Sequence, residues 1–265
     1  MTVNALTASS VLGNAIQARI FKIRAFLLLF KAGTILFNMK LFIIKADFEK
    51  DLKNWIQAVK KGQSHGVTWV NYMPDKIRAQ IQGKTNEEIE EIIDDFLKEK
   101  YISEEKKIAE YAENLEKVLN DISEEMFSIL ERITELSIYR DNFTGFITTL
   151  GRAPYYTPSG YIWFIYGKDD AWQIRACMHE LFHMQFEHYF KERLENQISK
   201  EKFAFLREAM TIILNEEAKN ITSEIDKGYP AHQEFRTHLL TLWKQRKSFE
   251  EFIENAVNDL EKFKF

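Results

Sequence analysis

Cys177 is the only cysteine in this 265-residue chain, so no intrachain disulfide can form. A chain of this length buries most of its unfolded surface and stands on its packed core instead. One thiol also fits a reducing compartment. Glycine is scarce, with ten residues scattered through the sequence, and no Gly-rich loop of the kind that cradles phosphates is present. Positive charge is not in excess: 36 Lys and Arg face 40 Asp and Glu, for a net charge of -4. That balance speaks against a nucleic-acid partner, which calls for a basic surface. No internal repeat is visible. At 45% hydrophobic and 29% charged the composition excludes wholesale disorder and collagen-like structure. The length allows one large domain or two modest ones. What is abundant is aromatic surface, with 21 Phe and 14% aromatic residues, which points to a large aromatic core or cleft.

Acidic residues are missing altogether before Asp47, whereas Arg19, Lys22, Arg24, Lys31, Lys40 and Lys45 are basic. The apolar run at 25–37 is interrupted by Lys31 and falls short of the roughly 20 residues a spanning helix needs. No stable membrane span is expected. Three readings fit residues 1–38: a targeting leader, a membrane-surface helix, or an upstream stretch preceding a natural start at Met39. The last is favoured, because MKLFIIKADF opens like the first strand of a soluble domain. A cytoplasmic protein is then expected, with targeting or membrane association through residues 1–38 as the alternative.

Beyond that leader, two regions are expected. Residues 39–137 read as strand and helix: a strand at 40–46, an amphipathic helix at 48–61, a strand-like run at 67–73, then helix from Thr85. Thr85 with Glu88 forms a capping box, and Ser103 and Ser123 are positions where new helices are expected to begin. Near residue 138 the pattern changes. The segments SIYRDNFTGFITTL and YIWFIYG are β-branched and aromatic, separated by APYYTPSG, and predict two or three antiparallel strands. From Asp169-Asp170 the chain returns to helix, with Ser199 and Ser248 as further caps and Glu251 completing a second capping box.

One motif carries chemistry. Residues 179–183 read His-Glu-Leu-Phe-His inside a predicted helix. Side chains four apart lie on one helix face, so His179 and His183 can offer imidazole to one ion. Zinc accepts imidazole nitrogen, and a catalytic site uses three protein ligands with one position open to water. Glu180, about 100° round the helix from His179, stays off the metal and can act as general base toward the water. The alternative is a pair of ordinary helix histidines satisfied within the core. Cys177 and His188 fall on other faces of the helix.

This pattern resembles the zincin metallopeptidases, in which such a helix packs below a mixed sheet whose edge strand binds substrate. The resemblance covers about the last half of the chain and implies an α+β, zincin-like fold that is predominantly helical, with residues 138–265 as the catalytic region. The extended metzincin pattern is not followed, since Phe186 and Tyr189 stand where its Gly and third His would be. The gluzincin branch takes its third ligand from a Glu on a later helix, which points to FAFLREAMTIILNEE at 203–217. Glu208 is the only acid between Phe203 and Leu214, and a carboxylate among apolar residues is costly to bury unless a cation accompanies it. Zinc is one such cation; a neighbouring Lys or Arg is the other. The Asp that often follows the ligand Glu is here Ile212, so no residue is assigned to orient the histidines.

A donor to the developing oxyanion is also needed. By the gluzincin resemblance, Tyr229 and His232 in the loop DKGYPAHQEFR are the candidates, with plain turn and helix-start roles equally open. Tyr155, Tyr156 and the run 161–164 are read either as a substrate-side edge strand or as core. The expectation is a zinc-dependent hydrolase of peptide or protein substrates, holding one Zn2+ per chain through His179, His183 and Glu208. Two rivals remain: a zinc hydrolase of another substrate, and a non-catalytic helical binding protein with structural metal or none.

Overall fold

The computed structural model describes residues 41–64 and 66–263; the expectations for residues 1–38 and for a start at Met39 lie outside them. Strand β1 (Phe42–Lys45) leads through Asp47, whose side chain accepts from the Lys50 amide, into α1 (Phe48–Lys61). Gly62 ends that helix at a positive φ of 65°. A two-residue hairpin, β2 (Gln63–Ser64) with β3 (Val67–Thr68), follows. The strand expected over 67–73 stops there: Trp69–Tyr72 form a 3-10 turn, and α2 (Asp75–Ile81) begins immediately after Pro74.

The expected breaks at Ser103 and Ser123 are also absent. A single helix, α3, runs from Asn86 to Thr134, 49 residues, about 70 Å at 1.5 Å per residue. It opens with the reciprocal Thr85–Glu88 capping box. Ser103 and Ser123 donate their hydroxyls to the carbonyls of Lys100 and Asn120, three residues back, which lets serine sit inside a helix without ending it. Isolated, so polar a helix would be marginal. Here its N-terminal third packs Ile89, Ile93 and Leu97 against Trp55 of α1, and the remainder packs Ile108, Leu115, Leu119 and Met126 into the main core.

The main sheet has the order β1-β4-β6-β5, with β4 (Phe143–Thr148), β5 (Tyr155–Tyr156) and β6 (Tyr161–Ile165). β1 pairs with β4 and β4 with β6 in parallel, and only β5 is antiparallel to β6. The sheet is thus mixed, and of the strands beyond residue 138 expected to be antiparallel, β4 and β6 are instead parallel. The connection between β4 and β6 is too long for a tight hairpin and carries β5 out to the far edge, leaving β6 parallel to β4. β1 belongs to the sheet formed from residues beyond 138, so the sheet crosses the expected boundary at 137/138. Asn120 and Glu116 of α3 cap the free edge of β1: Asn120 accepts from the Leu41 and Phe42 amides and donates to the Phe42 carbonyl, and Glu116 accepts from Ile44. An edge closed in this way is unavailable for further pairing. The open edge is β5.

The C-terminal half is helical: α4 (Asp170–Glu195), α5 (Lys200–Met210), a 3-10 turn over Thr211–Ile213, α6 (Leu214–Glu217), α7 (Gln233–Gln245) and α8 (Phe249–Asp259). Asp169, Ser199 and Ser248 accept from the amides three residues on and cap α4, α5 and α8. The second capping box is incomplete, because Glu251 accepts from Lys247 rather than Ser248. α4 lies under the sheet and is buried along most of its length, with Cys177, Met178, Leu181, Phe182 and Phe186 all in the core. The architecture is α+β, mostly helical with a small mixed sheet. Among the described residues, no helix is long and apolar enough to cross a membrane.

Candidate metal centre

One helical turn separates His179 from His183, and the two rings meet edge to face with centroids 4.3 Å apart. The potential ligand atoms of His179, Glu180 and His183 all lie within 4.8 Å of one another. α5 then brings Glu208 against both histidines: its Oε2 is 3.3 Å from His183 Nε2 and 3.7 Å from His179 Nε2. Ligands of a tetrahedral zinc, each roughly 2.0–2.2 Å from the ion, are separated by roughly 3.3–3.6 Å. Glu208 Oε2 thus stands close to that spacing from each of the two nitrogens.

The surroundings orient each of them. His179 Nδ1 is 2.5 Å from Asp226 Oδ2. A carboxylate only accepts, so Nδ1 carries a hydrogen and Nε2 is the nitrogen directed at Glu208. Asp226 is itself fixed from three sides. Its Oδ1 accepts from the Gly228 amide, Arg236 donates to its carbonyl and Oδ1, and the Asn215 side chain brackets its backbone N–H and C=O. Arg236, almost wholly buried, also donates to the carbonyl of Glu208 and to Thr211. One guanidinium therefore locks the loop carrying Asp226 to the helix carrying Glu208. Gly228 is required here, since at φ +60° a Cβ would meet the Arg236 guanidinium at 2.6 Å.

On the opposite side Arg207 donates to Glu208 Oε1 (2.8 Å) and Glu187 Oε1 (2.6 Å). Glu187 in turn accepts from Tyr155 and Thr157 of the β5 region. The pairing of Glu208 with an arginine and its approach to both imidazoles thus occur together, one carboxylate oxygen serving each.

Charge in this pocket is finely opposed. Burial disfavours a charged His179, but Asp226 and Glu208 outweigh it and push its pKa well above the ordinary value. His183, more deeply buried, is pushed down to about 4, and its Nδ1 is buried without a hydrogen-bond partner in the structure. Burial would raise the Glu208 pKa, yet the two histidines hold it well below the usual carboxylate range. Asp226 is likewise held down, chiefly by His179 and then Arg236, against the effect of burial. Glu180 goes the other way: burial and the Glu208 carboxylate outweigh His179 and raise it to about 7. In the metal-free site a proton on His179 balances these carboxylates, and a bound cation can take its place. Two imidazoles and a carboxylate are the donor set zinc prefers, so the residues present fit that metal.

The site opens into a cleft of two lobes, both lined by Trp69, Ala153, His179, Glu180 and Tyr229. Tyr229 thus stands at the cleft beside the motif. His232, by contrast, is buried behind it, against the rings of Phe205 and Tyr229, and lines neither lobe. Its place is that of a packed residue at the start of a helix. Tyr155 and Tyr156 of the open edge strand line one lobe, whereas β6 is interior to the sheet. Cys177 is buried in the core and His188 stacks on Tyr139. Glu217 binds Trp243 Nε1 and Arg132, away from the histidines. Asp226 and Arg236 are the site residues that sequence reasoning did not identify; no periodicity or spacing relates them to the motif. The chain matches no family model, no curated protein and no solved structure.

Proposed function

We propose that this protein is a zinc-dependent hydrolase, most specifically a zincin-like metallopeptidase acting on peptide or protein substrates in the cytoplasm. The observation that carries the reading is the approach of Glu208 Oε2 to both histidine Nε2 atoms, with Glu180 beside them on the wall of an open cleft. A structural zinc site is closed by four protein ligands, whereas here His179 and Glu208 line a cleft. His179, His183 and Glu208 would hold the ion. When bound, zinc supplies Lewis acidity, polarising the scissile carbonyl and making water acidic enough to attack near neutral pH.

The protein groups do the rest. Glu180, beside the histidines on the cleft wall, can accept a proton from the attacking water and return it to the leaving amine, the role of a single acid–base residue. Tyr229 is kept protonated by burial and by the Glu208 and Glu180 carboxylates, so its hydroxyl is a donor for a developing oxyanion. Asp226 keeps His179 in one tautomer, and Arg207 keeps one oxygen of Glu208 turned away from the histidines. The edge strand β5 offers unpaired backbone alongside the cleft, a means of aligning an extended peptide.

Hydrolysis of unstructured peptides by zinc-loaded protein, followed by mass spectrometry, tests the reading. Glu180→Gln should lower the rate about 10²–10⁴-fold, the usual effect of losing a general base, while zinc content stays unchanged. Loss of zinc with unchanged turnover per bound metal would instead make Glu180 a ligand.

A further inference from the structure

The two lobes of the cleft differ in charge. One, about 540 Å³, is walled by Ile165, Trp172, Ala176 and Ile225, with charges of both signs at its rim. The other, about 400 Å³, contains four cations, Lys61, Arg152, Lys191 and Arg207. Of its three acids, Glu187 accepts from Tyr155, Thr157 and Arg207, Glu208 accepts from Arg207, and Glu180 stands beside the histidines. The first two account for the Arg207 charge. Among the described residues, Lys61, Arg152 and Lys191 have no carboxylate within ion-pair distance. The surplus is felt locally, since burial and the neighbouring Arg152 and Arg207 hold the Lys61 ammonium below its usual pKa.

Arg152 is the built part of this lobe. Its NH1 donates to Asn54 Oδ1 (2.5 Å), and the buried Asn54 donates back to the Arg152 carbonyl and to Thr148 (both 2.9 Å). Its guanidinium also lies over the Trp69 ring, 5.6 Å from the centroid. A guanidinium has five N–H donors in a fixed fork, and Asn54 takes one. A planar donor group held in place at a half-buried wall is suited to bidentate recognition of a carboxylate, and a lobe with more cations than acids favours an oppositely charged substrate.

We propose that this lobe is an anion subsite in which Arg152, assisted by Lys61 and Lys191, receives a carboxylate of the substrate beside the bond to be cut. That carboxylate is either the C-terminal carboxylate of a peptide or the side chain of an Asp or Glu. The proposal rests on the metallopeptidase reading for its substrate, and on the charge and construction of the lobe for its chemistry.

The test is calorimetric binding of three N-acetylated tripeptides to Glu180→Gln protein, which should consume them about 10²–10⁴-fold more slowly than wild type. One has a free C-terminal carboxylate, one is its neutral carboxamide, and one is a carboxamide carrying an internal Glu. Binding is measured with zinc and after its removal by chelation. One of the two anionic peptides should bind about 10-fold more tightly than the neutral one, the scale of a charge-assisted pair, and which one does so identifies the source of the carboxylate. The preference should persist without metal, vanish in Arg152→Gln, shrink in Lys61→Met, and survive in part in Arg152→Lys. Equal binding of all three, no binding of any, a preference seen only with zinc, or one unchanged in the Arg152→Gln and Lys61→Met variants would each overturn the proposal. If the preference holds but wild-type protein hydrolyses none of the peptides, the peptidase reading fails and the anion subsite stands.

Discussion

Two buried carboxylates, Asp51 in α1 and Glu208 in α5, occupy very different surroundings. Asp51 is fully buried, and each of its oxygens is met by neutral donors: the Thr148 hydroxyl at 2.6 Å, the Thr149 amide and hydroxyl, and the Tyr101 hydroxyl. No cation faces it in any of these contacts, and burial raises its pKa despite the hydrogen bonds. It fastens α1 to the end of β4 and needs nothing further. Glu208 presents one oxygen to Arg207 and the other to two imidazole nitrogens. The first carboxylate is met only by neutral donors of the fold; the second is met by a guanidinium and by two nitrogens able to ligate a metal. Burial alone does not separate a structural acid from a chemical one, whereas the kind of atom facing it does.

Removing each acid should break the protein in opposite ways. Glu208→Ala is expected to reduce zinc affinity by well over the 10–100-fold that follows loss of a residue orienting a ligand, with the fold retained. Asp51→Ala should leave zinc binding per folded molecule unchanged and cost about 3 kcal/mol of stability, because an amide and three hydroxyls lose their acceptor. Zinc affinity and denaturant unfolding measured on both variants check the pair, and a Glu208→Ala protein that keeps its metal would erase the distinction. A smaller effect is expected at Asp226. Asp226→Asn keeps the shape but removes the charge that fixes His179, and should weaken zinc binding about 10–100-fold. Competition with a chelator of known affinity measures it, and an unchanged affinity would show that His179 needs no partner to present Nε2.

Much of this was legible because it was local. The caps at Thr85, Asp169, Ser199 and Ser248 are written in residues three apart, and the pairing of His179 with His183 follows from the helical repeat. Glu208 stood out as a lone acid in an apolar helix, and it does lie against both histidines. What could not be read depended on distance. The parallel pairing of β4 with β6 is decided by a connection that carries β5 outward, not by either strand's composition. The continuity of α3 through Ser103 and Ser123 depends on two cores along its length, which repay a helix of otherwise weak internal preference. Asp226 sits 47 residues from His179 in a loop whose conformation is set by Asn215, Gly228 and Arg236, and no local pattern announces a contact formed by three separated residues. His232 illustrates the converse: its position in the sequence suited an oxyanion donor, but the helical turn at Pro230–His232 turns it into the packing behind Tyr229.

Calorimetric titration of zinc into metal-free protein at pH 7, repeated in buffers of different ionisation enthalpy, tests the central claim most directly. The account predicts about one zinc per chain with release of about one proton to the buffer, since metal ligands must be deprotonated. That proton comes from His179, whose pKa is held well above the ordinary value; His183, at about 4, has none to give at pH 7. Apparent affinity should therefore rise with pH until the raised pKa of His179 is passed, and His183→Ala should abolish stoichiometric uptake. No zinc taken up, or an equal uptake after both histidines are replaced by alanine, would contradict the account.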